Sequence, residues 1–308
     1  MCSNSELAVV MNHGQSPRYT LEKRRLSYIV EEGGFYNQWC TISRTDTLPS
    51  SQPDKLRMKM IFKVSHYGEL KVCEEVVKMY EHVEELVNRM PHHRHICRPI
   101  LVDVDVFMDG LITGRHLKGL ITTFYHDGNI LTFLKNNEKA NKLQLILQVA
   151  QAIEVLHSLD IVHGNIHPLN VLIKHDGHAM LTDVGLHSAA QQCFRDICIS
   201  ISECDQYKLQ DCHATDGTIP PTKVMDVHSF LLTIYAIYKG SPPFCASKNT
   251  SADEAMIRMV RKGCSSLKKP HSMPEDIWFF SERFWKYPAK SVTMRQVIGC
   301  LERVRHTH

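Results

Sequence analysis

An α+β, two-layered chain is what the sequence predicts, on two observations: period-two alternation marks its first third, and helical spacing of apolar residues takes over from about residue 130. Residues 1–26 are polar and aperiodic and read as a flexible leader. Thr45 to Lys55, with two prolines, reads as a loop between strands. From Leu56, residues Leu56, Met58, Met60, Phe62 and Val64 fall on one side of an extended segment and Arg57, Lys59, Ile61 and Lys63 on the other.

Residues 71–90 switch to helical spacing, with Val76, Met79, Tyr80, Val83, Leu86, Val87 and Met90 on one face. That face predicts one amphipathic helix laid on the preceding sheet. Ile100–Phe107 and Leu117–Phe124, separated by Asp109-Gly110 and Thr113-Gly114, predict a hairpin. Leu145, Ile146, Val149, Ala152, Ile153 and Leu156 then make a long buried helical stripe. A later helix runs to Lys239, with Asp226 placed where a carboxylate would cap its start.

With 308 residues and 43% hydrophobic content, the chain can bury a substantial core as one two-lobed domain or two small ones. Its 36 basic and 33 acidic residues give +3 with no long basic run, which argues against a nucleic-acid groove or a polybasic membrane anchor. Eleven scattered cysteines, with no Cys-x-x-Cys pair, suit reduced thiols in the cytoplasm, a nuclear location being equally compatible. The apolar run Phe230 to Tyr238 is far too short to span a bilayer. His92, His93, His95 and Cys97 do not have the spacing of paired zinc ligands and read as a polar loop between helix and strand.

The chemistry is concentrated in Ile161-Val-His-Gly-Asn-Ile-His-Pro-Leu-Asn-Val-Leu-Ile173, followed by Leu181-Thr-Asp-Val-Gly185. This stretch resembles the catalytic loop and metal motif of the eukaryotic protein kinases, H-R-D-x-x-x-x-N and D-F-G, and other motifs extend the resemblance over residues 27–305. It implies a two-lobed fold: a small antiparallel-sheet N-lobe with one helix, about 27–124, and a larger, mainly helical C-lobe, about 126–305. Asp226-Val-His-Ser-Phe230 and Gly240-Ser-Pro-Pro-Phe244 look like the tyrosine-kinase-like branch, and the resemblance implies that Asp226, at the start of its helix, supports the catalytic loop, a bare N-cap explaining the residue equally well.

In the same resemblance Ile61-Phe-Lys-Val64 matches the strand motif V-A-I-K, which implies that Lys63 holds the α- and β-phosphates of ATP. Its helix partner is Glu84, with Glu81 and Glu85 as alternatives, and Val83 also fits that register. Glu31-Glu32-Gly33-Gly34-Phe35-Tyr36 stands where glycines let backbone N–H groups approach phosphates, leaving Gly33 and Gly34 for that role. Thr122 stands at the gatekeeper position, and Thr123 and Tyr125 offer backbone to an adenine. Asn170 and Asp183 occupy the two Mg²⁺-ligand positions, and their oxygens suit that ion.

Departures from the pattern decide the expected function. Asn165 stands where the family's catalytic Asp would be, and an amide cannot take a proton from a hydroxyl at neutral pH. His167 replaces a Lys that approaches the γ-phosphate, and a histidine is mostly neutral at pH 7. Ile61 adds bulk at the adenine-facing position. The resemblance therefore implies a pseudokinase with weak ATP and Mg²⁺ binding, working through protein partners as a signalling scaffold or allosteric regulator. An active but slow Ser/Thr or Tyr kinase is the alternative.

Overall fold

Alternation in the first third is realised as one five-stranded antiparallel sheet of β1 (Tyr19–Glu22), β2 (Tyr36–Arg44), β3 (Met58–Val64), β4 (Ile100–Met108) and β5 (Leu111–Thr123), in the order β1-β2-β3-β5-β4. The computed structural model describes residues 19–22, 36–44, 58–64, 70–108, 111–123, 125, 127–186, 188–189, 207, 220–245, 263–286 and 292–307. β1 lies within the segment whose composition reads as a leader, with Tyr19 opposite Arg44. Gly33 and Gly34 lie outside the described residues. The hairpin β4–β5 is tighter than its turn residues suggest: Thr113-Gly114 lie inside β5, and a register shift between Asp105 and Phe107 absorbs the irregularity.

The chain divides into two units, Met1–Glu84 with Arg98–Phe124 and Glu85–Cys97 with Tyr125–His308. The sheet belongs to the first. Helix α1 (Leu70–Arg89) buries Met79, Val83, Val87 and Met90 at the three- and four-residue spacing of one face, leaving Glu81, Glu84 and Glu85 exposed.

The second unit is built on α2 (Ile130–Asn136), α3 (Lys142–Ser158), the hairpin of β6 (Val171–Ile173) and β7 (Ala179–Leu181), and helices α4 (Lys223–Lys239), α5 (Glu275–Lys286) and α6 (Met294–Thr307). α3 packs against α6, β7 and α4. Every residue of its expected stripe is buried, Ile146, Ala152, Ile153 and Leu156 completely. At roughly 1.5–3 kcal/mol for each large aliphatic side chain fully removed from water, this stripe is a main source of the unit's stability. Asn141 caps α3 by accepting the Gln144 N–H at 2.9 Å. Among the described residues no helix is long and apolar enough to cross a membrane.

α4 carries a buried titratable group. Burial pushes the His228 imidazole down to about 4, the Tyr207 backbone opposing this only in part. Because the folded value lies below the ordinary 6.5, the unfolded chain takes up this proton first as pH falls. The stability conferred by neutral His228 is therefore complete above pH 6.5 and is lost between 6.5 and about 4, a loss of about 3 kcal/mol. Urea-unfolding free energies across that range should fall less steeply for His228→Leu than for the unchanged protein, by about that amount; identical slopes would refute it.

Candidate active-site loop

The described chemistry of the second unit centres on residues 161–170, between α3 and β6. α3 ends at Ser158, and Ile161 N–H donates to Leu156 O at 3.0 Å, turning the chain inward. Asp160, at φ 54, takes the left-handed conformation that a short polar side chain tolerates.

Asp226, 1% exposed, organises the loop from His163 onward. Its Oδ2 accepts from the His163 backbone N–H at 2.7 Å and from the His157 ring at 2.9 Å, and its Oδ1 accepts from the Gly164 N–H at 2.8 Å. The cap of α4 is Thr222, whose hydroxyl accepts the Met225 N–H at 3.3 Å. Asp226 lies one turn inside the helix and faces the loop, so the capping alternative is corrected and its contacts fit the loop-supporting role that the resemblance implies. Proximity to a helix start cannot distinguish a cap from a carboxylate in the first turn.

His163 is fully buried and joins the loop to the strand after it. A carbonyl can only accept, so the 2.9 Å contact with Thr182 O places the ring proton on Nε2, and Nδ1 accepts the Asn165 N–H at 3.2 Å. Burial holds this imidazole below its ordinary pKa, although Asp226, the Thr182 carbonyl and Asp183 pull the other way. Gly185 N–H donates to His163 O at 3.0 Å. Asn170 closes the loop on itself, its Nδ2 donating to Asn165 O at 2.9 Å while its own carbonyl accepts the Thr182 N–H at 2.9 Å.

Loop and hairpin thus hold Asn165, His167, Asn170 and Asp183 in one hydrogen-bonded frame. Asp183 adopts φ 61, an uncommon conformation for a residue other than glycine and one concentrated at functional sites. Asn170 spends its amide N–H on the loop, which leaves Oδ1 as the atom it can offer a cation. An amide oxygen and a carboxylate are the hard donors that Mg²⁺ takes. His167 is buried, with the Tyr207 ring centroid 6.1 Å away.

The other expected site residues lie elsewhere. Tyr125 is half-buried in the second unit, its carbonyl accepting the Gly128 N–H at 3.2 Å. Lys63, Thr122 and Thr123 belong to the sheet of the first unit, Lys63 opposite Leu120, Thr122 opposite Ile61 and Thr123 opposite Met60. Thr122 is buried at 7% exposure, and Glu84 is exposed on α1.

Two participants escape sequence reasoning. His157 ends the apolar stripe of α3 and looks like an ordinary helix-end histidine. Gly164 stands at the Arg of H-R-D with φ +78, and a Cβ there would collide with Ser188 Oγ and lie 3.2 Å from Pro221 Cγ. The chain passing Gly164 thus fills the room an arginine would need. Its signal was visible as a glycine inside an otherwise motif-like run.

A model of the family described as protein tyrosine and serine/threonine kinase matches residues 69–301. The chain is 22% identical to human receptor-interacting serine/threonine-protein kinase 1 over 248 residues, which are 76% of this chain and 33% of that protein. It is 25% identical to serine/threonine-protein kinase PkaA of Streptomyces coelicolor over 190 residues, 56% of this chain and 31% of that one. A third relative, named a probable inactive serine/threonine-protein kinase of Dictyostelium discoideum, is 33% identical over 78 residues, 24% of this chain and 6% of its own length. The chain spans a third or less of the length of these curated relatives. With the family model covering most of its length, the 161–170 loop included, the chain belongs to the protein tyrosine and serine/threonine kinase family.

Proposed function

We propose that this kinase-fold chain is a pseudokinase domain of the tyrosine-kinase-like branch, a signalling scaffold or allosteric regulator with weak or absent phosphotransfer. One observation carries the reading: an intact catalytic-loop frame, anchored by Asp226, His163 and Asn170, presents Asn165 where the base belongs. General-base catalysis contributes about 10²- to 10⁴-fold, or roughly 3–5 kcal/mol of barrier. His167 removes a positive charge from the same loop. Selection for turnover would keep these groups, whereas a binding function needs only the frame.

In this reading ATP and Mg²⁺ bind weakly, held by Lys63 with Glu84 as its helix partner, by the backbone at Gly33 and Gly34, and by Thr122, Thr123 and Tyr125 at the adenine. Asn170 and Asp183 would take the ion, which neutralises phosphate charge when bound. Protein partners in the cytoplasm are the expected ligands of the surface. Similarity to receptor-interacting serine/threonine-protein kinase 1 over 76% of this chain supports a place in signalling.

The test is a thermal-shift titration with ATP and Mg²⁺ beside a phosphotransfer assay on a generic protein substrate. Saturation at 100-fold above the dissociation constant adds about 2.7 kcal/mol of stability. The expected result is a millimolar-range shift with no transfer that depends on Lys63 or Asp183. Robust transfer abolished by Lys63→Met or Asp183→Asn would overturn the proposal and leave an active kinase in its place.

A further inference from the structure

The loop after α1 is joined edge-on to the β6–β7 hairpin. Leu181 N–H donates to His95 O at 2.9 Å and Cys97 N–H donates to Leu181 O at 2.8 Å, making Ile96 and Leu181 a parallel bridge. Leu181 is two residues before Asp183. At the other end of the loop, Leu86 in the last turn of α1 packs so closely on Gly185 that a Cβ there would collide with Leu86 Cδ2. The loop therefore links the end of α1 to the strand that delivers Asp183.

At its centre is His95, 1% exposed. Its Nδ1 lies 2.9 Å from Ala179 O, which can only accept, so the proton sits on Nδ1 and the lone pair on Nε2. That Nε2 is buried with no hydrogen-bond partner. The rings of His93 and His178 stand edge-on at centroid distances of 5.5 and 5.9 Å. His93 Nδ1 accepts the His95 N–H at 3.3 Å. His178 Nδ1 lies 2.8 Å from Gln148 Nε2, an amide group that can only donate. Both flanking rings are thereby assigned protons on Nε2, so neither offers His95 an acceptor.

The charged and titratable groups acting on His95 are Arg94 and His93 from its own loop and His178 from the β6–β7 turn, while α3 contributes the uncharged Gln148. Burial lowers the His95 pKa; the Ala179 carbonyl opposes this, and the three neighbours add to it. Among the described residues no group of three His, Cys, Asp or Glu side chains could hold a metal ion, so the cluster suits proton uptake rather than chelation.

We propose that His93, His95 and His178 make this loop a proton-operated clip: neutral His95 holds the loop against β7, and protonation of its orphan Nε2 releases it. A new N–H there is buried without an acceptor, and the positive charge meets Arg94 and two imidazoles. The sign comes from the depressed folded pKa. Closure is fully stable above pH 6.5 and weakens as pH falls below it.

The test measures amide hydrogen exchange at Leu181 and Cys97 from pH 7.5 to 5.5, corrected for intrinsic rates and compared with Ile153 in the core of α3. Opening at the two clip amides should rise by up to about tenfold per pH unit below 6.5, as uptake of one proton requires, and in excess of the rise at Ile153. His95→Asn keeps a donor for Ala179 O but cannot titrate, and its clip amides should lose that excess. A pH response equal to that of the unchanged protein would overturn the proposal. Should the variant not fold, the unchanged protein still decides by ring ¹⁵N NMR: protonation of His95 without a matching rise in exchange at Leu181 refutes the clip.

Discussion

Asp226→Ala lowers the unfolding free energy by about 3–5 kcal/mol and frees the 161–170 loop. Three donors converge on this carboxylate within 2.9 Å, and all are buried or partly buried. Alanine strands the His157 ring and two backbone N–H groups together, and each unmet buried donor costs about 1–3 kcal/mol. Asp226→Asn does not escape. An amide has one oxygen, so whichever way it turns, its NH₂ meets an N–H that formerly donated. Chemical denaturation measures the loss, and exchange at the Gly164 and Asn165 amides localises it. A loss below about 1 kcal/mol, within the range of an ordinary surface change, would show that the loop does not depend on this anchor.

Asn165→Asp is expected to raise phosphotransfer by about 10²-fold, the lower end of what a general base supplies, because His167 still withholds its cation. The backbone at Asn165 is already fixed on both sides, N–H to His163 and carbonyl to Asn170, so the new carboxylate enters a preformed position. Adding His167→Lys should raise the rate further. Its benefit is limited by the cost of replacing a buried imidazole beside Tyr207. Radiolabelled ATP with a mixed peptide substrate reads both variants. No gain in either would place the defect in the nucleotide pocket and remove base loss as the reason for inactivity.

Periodicity explains why the helical scaffold could be read directly. The stripe from Leu145 to Leu156 repeats at helical spacing over three turns, and no competing period is present. Strand β3 was legible through its alternation, although its first residue is Met58 rather than Leu56. The β4–β5 hairpin was legible, but the start of its second strand was not, because two turn-forming dipeptides lie close together and only cross-strand pairing selects between them. At the site, the motif supplied Asn165, Asn170 and Asp183. It could not supply the geometry around Gly164, where the decisive fact is the approach of Ser188 and Pro221 from distant sequence. For Asp226 the motif implied support of the catalytic loop, but a bare N-cap explained the residue equally well, and only contacts more than sixty residues away decide between the two.

The parallel bridge at Ile96 also bears on how this polypeptide can be dissected. The larger unit is not a contiguous piece of chain: Glu85–Cys97 belong to it, and Arg98–Phe124 is an excursion out and back. A fragment beginning at Tyr125 would leave one edge of β7 without its backbone partner and Gly185 without the leucine that covers it. During synthesis, the segment that completes the hairpin leaves the ribosome about eighty residues before the hairpin itself, so it must wait, unpaired, for the strand it will join.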